Sequence, residues 1–167
     1  MSVALTDSID IARVAANRLH LTQSVSLAQL ERLVETLGLG QDAAATLVDC
    51  ELDVGSDGAD GVKVTGSVKT RWPLTCQRCL ERFDDAIALS IEWRSGALPD
   101  GDFELGGEPI RLIDWVEDEL LLALPAIPKH ADRADCEAAA TKYLTASDGP
   151  PMRTPFADLK NMLDEKG

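Results

Sequence analysis

From Thr46 to Arg94 polar and apolar residues trade places at almost every step, and this period of two limits the fold more than any other feature of the chain. Thr46, Val48, Cys50, Leu52 and Val54 alternate with Leu47, Asp49, Glu51 and Asp53. Side chains along a strand point to opposite sides in turn, so the pattern describes a strand with one buried and one wet face. Gly55 to Gly61 (Gly-Ser-Asp-Gly-Ala-Asp-Gly) is a cluster of turn formers. A second run then puts Val62, Val64, Val68, Trp72 and Leu74 on one face and Lys63, Thr65, Ser67, Lys69 and Arg71 on the other. A third turns Phe83, Ile87, Leu89, Ile91 and Trp93 inward and Asp84, Ser90, Glu92 and Arg94 outward. Three consecutive strands with short links predict an antiparallel meander.

On either side the period is helical. Ser26 and Gln29 form a capping-box pattern, Leu27, Leu30, Val34 and Leu37 follow at helical spacing, and Gly38 ends the run. Residues 10 to 21 are ambiguous; Ile11, Val14, Ala15 and Arg18 suit a short helix. Residues 95 to 109 carry four glycines, two prolines and Asp100, Asp102, Glu104 and Glu108, which predicts an acidic loop. A helix is expected over 112 to 124, with Leu112, Ile113, Val116, Leu120, Ala123 and Leu124 on one face, stopped by Pro125 and Pro128. Trp115 and Leu122 make a second apolar stripe on it. Residues 145 to 155 suggest a linker, and Phe156, Leu159 and Leu163 a short tail helix. The expected fold is therefore α+β: an antiparallel meander packed against two amphipathic helices in one domain over residues 1–144, then a linker and C-terminal helix over 145–167.

The chain has 167 residues, 45% of them hydrophobic, enough for a packed core. Its 29 acidic and 16 basic residues give a net charge of −13, which argues against the whole surface gripping a phosphate backbone and suits a basic partner. Met1 to Asp10 lacks the pattern of a signal peptide, and the longest apolar stretch, Leu120 to Pro128, is too short to cross a bilayer. The expected location is the cytoplasm, with no membrane partner. There the four cysteines are expected as thiols or metal ligands.

Cys50 lies on the apolar face of its strand and reads as a small buried hydrophobe. Cys76 and Cys79 fall where the chain must reverse between two strands, and a C-x-x-C turn points two sulfurs at one spot. His130 and Cys136 are the candidates to complete a tetrahedral zinc site, although H-x₅-C lies just outside the usual finger spacing. Such a zinc would be structural. A redox pair and a pair of reduced thiols are the alternatives; thioredoxin-type cysteines open a helix, which these do not.

Lys63, Lys69, Arg71, Arg78 and Arg82 form a basic island interrupted by one acid, Glu81. It is either a strip that touches phosphate or RNA, or a solvated sheet face paired with acids such as Asp49, Glu51 and Glu92. No aromatic is interleaved for base stacking. Asp114, Glu117, Asp118 and Glu119 complement a helix dipole rather than build a catalytic centre. The Trp115 and Leu122 stripe is either core or a partner-docking face.

Thr75-Cys-Gln-Arg-Cys-Leu80, Val116-Glu-Asp-Glu-Leu-Leu-Leu-Ala-Leu-Pro125, the following Ile127-Pro-Lys-His130 with Cys136, and Pro155-Phe-Ala-Asp-Leu159 together resemble the DUF177/YceD family over residues 25 to 165. The resemblance implies a non-enzymatic role in synthesis, processing or stability of large-subunit ribosomal RNA. It carries Cys76, Cys79, His130 and Cys136 onto the family's Cys/His pattern, and Glu117, Asp118 and Glu119 onto its acidic helix motif. The expected partner is large-subunit rRNA or a basic large-subunit ribosomal protein, met through Trp115, Glu117, Asp118, Glu119 and Leu122, and no small-molecule substrate is expected. The competing functions are a metal-dependent RNA-processing enzyme using Asp114, Glu117 and Asp118, and a redox sensor using Cys76 and Cys79.

Overall fold

A computed structural model describes residues 3–58, 61–95 and 108–144. In chain order the elements are β1 (Ser8–Ile9), α1 (Ile11–Ala16), β2 (Leu19–Ser26), α2 (Glu31–Leu37), β3 (Leu47–Asp57), β4 (Gly61–Thr75), β5 (Arg82–Arg94), β6 (Ile110–Arg111), α3 (Leu112–Leu122) and α4 (Arg133–Leu144). The main sheet is an antiparallel meander in the order β2-β3-β4-β5, and β1 pairs with β6 in a two-stranded ribbon.

The α+β class and the three expected strands stand, and the meander gains a fourth. β2 continues the same period of two: Leu21 and Val25 are buried while His20, Thr22 and Ser24 face water. Its apolar face is broken by Gln23, whose Oε1 accepts the Leu5 backbone N–H at 2.9 Å. A short helix does form near residue 10, capped by the Asp10 side chain, but it ends at Ala16.

The helix expected from Ser26 starts later. Ser26 closes β2 and its hydroxyl caps only a short 3₁₀ turn over Leu27–Gln29. Helix α2 runs from Glu31, and Gly38 ends it at φ 63°, the left-handed conformation that glycine adopts without strain.

In-register pairs such as Cys50 with Val68 and Val68 with Leu89 line up the inner face of the sheet. Val48, Leu52, Val64, Val68 and Trp72 of that face are fully buried with Leu27, Leu30 and Leu33 from the α2 region and Leu112, Val116 and Leu120 of α3. They form one continuous core. Each leucine taken from water to this core contributes roughly 2 kcal/mol.

The opposite face of the sheet carries the charged and small polar residues of each strand. The linker and tail helix expected over 145–167, and most of the acidic loop, lie outside the described residues. No helix among the described residues is long and apolar enough to cross a membrane.

Candidate metal centre

The C-x-x-C segment is the turn between β4 and β5. The Cys76 N–H donates to the Glu81 carbonyl at 2.9 Å, and the Leu80 N–H donates to the Cys76 carbonyl at 2.8 Å. Leu80 adopts φ 62°, the left-handed conformation that lets so tight a turn close. Inside the turn the Arg78 N–H points at Cys76 Sγ, 3.4 Å away. Backbone N–H groups aimed at a sulfur stabilise it as thiolate.

The chain after α3 reaches the same spot. The Gln77 N–H donates to the Pro128 carbonyl at 2.8 Å, which ties the α3–α4 connection to the turn. Two residues on, the His130 ring packs against Phe83 of β5 with centroids 4.7 Å apart. Helix α4 then carries Cys136 in its first turns. Cys76, Cys79 and Cys136 are buried and form a cluster of their own, with Phe83 and Ala139 against it.

The four donor atoms lie within 4.8 Å of one another. Cys76 Sγ is 3.6 Å from Cys136 Sγ, Cys79 Sγ is 3.5 Å from His130 Nδ1, and Cys136 Sγ is 3.4 Å from the same nitrogen. Zinc with ligand distances of about 2.3 Å to sulfur and about 2.1 Å to nitrogen sits in a tetrahedron whose edges are roughly 3.6 to 3.8 Å. These three separations match such edges to about 0.2 Å. Three sulfurs and an imidazole are also the donor set that zinc prefers.

The electrostatics favour a bound cation. Burial opposes ionisation of Cys76, but backbone N–H groups of His130, Arg78 and Cys79, together with the Cys136 thiol, outweigh it and bring the Cys76 thiol down to about 5. Cys136 is pushed the other way, by burial first and then by its neighbours Cys76 and Cys79. The Arg78 guanidinium Nη1 lies 3.6 Å from Cys136 Sγ and offsets negative charge there. Among the described residues this is the one group of three or more such side chains that converges closely enough to hold a metal ion.

No family model matches the chain, and no solved structure does. A curated protein does match. The large ribosomal RNA subunit accumulation protein YceD of Haemophilus influenzae is 31% identical over 175 aligned residues, covering 96% of this chain and 97% of that protein. The chain belongs to the YceD family.

In this YceD-family chain the basic island divides. Lys63 pairs with Glu92 at 3.1 Å. Lys69 lies in register opposite Asp49 and is exposed. Arg71 is exposed and lines a groove of about 440 Å³ with Leu47, Pro73 and Asp84. Arg78 is exposed with its guanidinium against Cys136 of the candidate metal centre, and Arg82 opens β5. The strip therefore runs along β4 between acidic residues of β3 and β5, with Lys69 and Arg71 its outward part.

The acidic helix motif is tied into the fold by hydrogen bonds, with Glu117 buried, Glu119 half-buried and Asp118 exposed. Glu117 is 5% exposed; its Oε1 accepts the Leu33 N–H at 3.1 Å and its Oε2 accepts Arg32 Nε at 2.8 Å. Asp118 takes the other arm of Arg32 at 2.7 Å. Glu119 accepts the Trp93 indole N–H at 2.6 Å, and Trp93 meets Trp115 edge-on at 5.2 Å. Asp114 is held by Arg111 through two bonds of 2.9 and 2.6 Å. Of the residues expected to meet a partner, Leu122 projects furthest into solvent, at 82% exposure, and the Asp118 side chain is also exposed, at 55%.

Arg32 and Phe83 were the unrecognised contributors. Arg32 reads as an ordinary polar helix position, with nothing in its neighbourhood to announce two carboxylates from α3. Phe83 shows in sequence only as an inward strand residue.

Proposed function

We propose that this chain is a non-enzymatic factor that supports accumulation of large-subunit ribosomal RNA, and that it holds one structural zinc through Cys76, Cys79, His130 and Cys136. The observation that carries the reading is near full-length similarity to a protein named for large ribosomal RNA subunit accumulation. Supporting it is the closed donor set: four protein ligands leave no position for a reactive water, so the metal would fix structure. The carboxylates that a metal-dependent nuclease would need, Asp114, Glu117 and Asp118, are instead engaged by Arg111, Arg32 and a backbone N–H.

The chain acts by holding partners. With a net charge of −13 its long-range field draws in a basic protein, and a basic large-subunit ribosomal protein is the partner of matching charge. Lys69 and Arg71 on the open face of the sheet are the positions from which rRNA phosphates can be touched. Arg78 serves the metal centre instead.

In cells lacking this protein the ratio of large- to small-subunit rRNA is expected to fall and to be restored by the wild-type gene. An unchanged ratio overturns the accumulation role. Elemental analysis of protein prepared under reducing conditions is expected to find about one zinc per chain, as a four-ligand site holds a single ion. Absence of zinc overturns the metal reading alone.

A further inference from the structure

We propose that metal bound at Cys76, Cys79, His130 and Cys136 is the clamp that docks α4 onto the sheet, so that metal occupancy decides whether this helix is held or released. The proposal rests on the zinc reading above.

Helix α4 has little of its own to dock with in its described side chains. Among its described side chains Cys136 is the buried one and Ala139 is half-buried, while Arg133, Ala134, Asp135, Glu137 and Thr141 are exposed. Helix α3, by contrast, presents Leu112, Ile113, Val116 and Leu120 to the main core. The cluster that receives Cys136 consists of three cysteines with Phe83 and Ala139 against them, and among the described residues it meets the main core through Phe83 of β5, not through α4. Among the described residues, these two small side chains remove too little apolar surface from water to order a helix.

Local stabilisers are modest. The Asp132 carboxylate accepts the Ala134 N–H at 2.8 Å, and Arg133 pairs with Glu137 across one exposed turn. Thr141 Oγ1 donates to the Glu137 carbonyl at 2.9 Å, a bond within the helix, and local aids of this kind leave a helix of 12 residues marginal in water. The bond that changes this is the one the metal supplies. Cys76 and Cys79 belong to the β4–β5 turn, Cys136 to α4, and His130 to the segment just before it. A shared ion cross-links elements that are 60 residues apart in the chain at Cys76 and Cys136. Its strength exceeds any contact α4 makes with the sheet among the described residues.

Hydrogen exchange of the full-length protein, before and after zinc is stripped by a high-affinity chelator, tests this. Zinc loss is checked by elemental analysis. Amides of α4 are expected to exchange at least about ten-fold faster in the stripped protein, with β3 and β4 amides changed by less than about two-fold. Re-addition of zinc is expected to restore α4 protection. Cys136→Ser is expected to reproduce the stripped state, and Cys50→Ser to leave α4 protected. Unchanged α4 protection in protein shown to be metal-free overturns the clamp, as does equal loss of protection in α4 and the sheet. Protein that never contains zinc overturns the metal reading, and the clamp with it.

Discussion

The Glu117 carboxylate of α3 caps helix α2, accepting the backbone N–H of Leu33 at 3.1 Å. Helix α2 has no side-chain cap of its own, because its N-cap position is Leu30. A second helix therefore supplies what the local sequence lacks. Glu117→Ala removes the cap and the Arg32 contact together and is expected to cost about 2 kcal/mol, with Glu117→Gln costing less because its amide oxygen still accepts. Urea denaturation midpoints of the two variants check the order. A Glu117→Ala protein as stable as wild type would remove this contact from the account of the fold.

Gly66 on β4 sits opposite Leu52 of β3, where the strands approach too closely for a side chain. A Cβ there would run into the Glu51 carbonyl oxygen and come within 2.9 Å of the Leu52 Cα, both backbone atoms that cannot swing away. Gly66→Ala is accordingly expected to destabilise the sheet by more than about 2 kcal/mol. Gly40, where a Cβ meets nothing within 4 Å, is the control, and Gly40→Ala is expected to be nearly neutral. Thermal unfolding of the pair measures the difference.

What the sequence revealed follows from which signals are local. Strands β3, β4 and β5 were legible because alternation is a property of each strand alone, and Gly38 announced the end of α2 for the same reason. Strand β2 alternates as well, but Gln23 on its inner face hid the pattern, since its partner, the Leu5 N–H, lies far away in sequence. Helix α4 escaped notice because its apolar stripe is faint, Cys136, Ala139, Ala140 and Tyr143 being mostly small residues. The four Cys/His positions were legible as residue types, while their convergence depends on the Gln77 to Pro128 hydrogen bond, which no spacing rule encodes. The acidic motif of α3 reads as a solvated face until Arg32 and the N-terminus of α2 are placed against it.

Cys50 gives the chain an alkaline signature. Burial first, and the Asp49 charge second, push its thiol from 9.0 up to about 12. The folded protein thus keeps a proton that the unfolded chain gives up. Its contribution is complete below 9.0 and declines as pH rises until about 12. Cys50→Ala is expected to be less stable by about 1 kcal/mol near neutral pH through lost packing, yet to lose stability more slowly above about pH 9. The other titrating groups are common to both proteins, so denaturation curves at about pH 8 and about pH 11 isolate the effect. Parallel slopes for the two proteins would be the contrary result.

Lys69 and Arg71 provide a test of phosphate contact that leaves the fold alone. Both are exposed on the open face, so Lys69→Ala with Arg71→Ala is expected to change stability by less than about 1 kcal/mol. If both meet phosphates, the double variant binds rRNA with a log–log salt slope shallower by about 1.4 to 1.8. Filter binding across a salt series reads the slope. An unaltered slope would assign the pair to the cross-strand electrostatics of the sheet.

Leu80 sets two effects of opposite sign against each other. Its φ of 62° strains an L side chain, at a cost of roughly 1 to 2 kcal/mol that glycine escapes. Glycine in turn adds backbone freedom to the unfolded chain, roughly 0.5 to 1 kcal/mol against folding. Little burial is lost, because Leu80 is 67% exposed. Relief of strain is the larger quantity, so Leu80→Gly is expected to stabilise the protein by about 0.5 kcal/mol and to leave zinc content unchanged. Leu80 is thus a large apolar residue, exposed on a strained backbone beside the candidate metal centre, where a docked partner would cover it. If the chain holds rRNA or a ribosomal protein as proposed, weaker capture of that partner by the more stable variant is the expected sign that the Leu80 side chain makes the contact. Undiminished capture would leave Leu80 as a residue of the turn and nothing more.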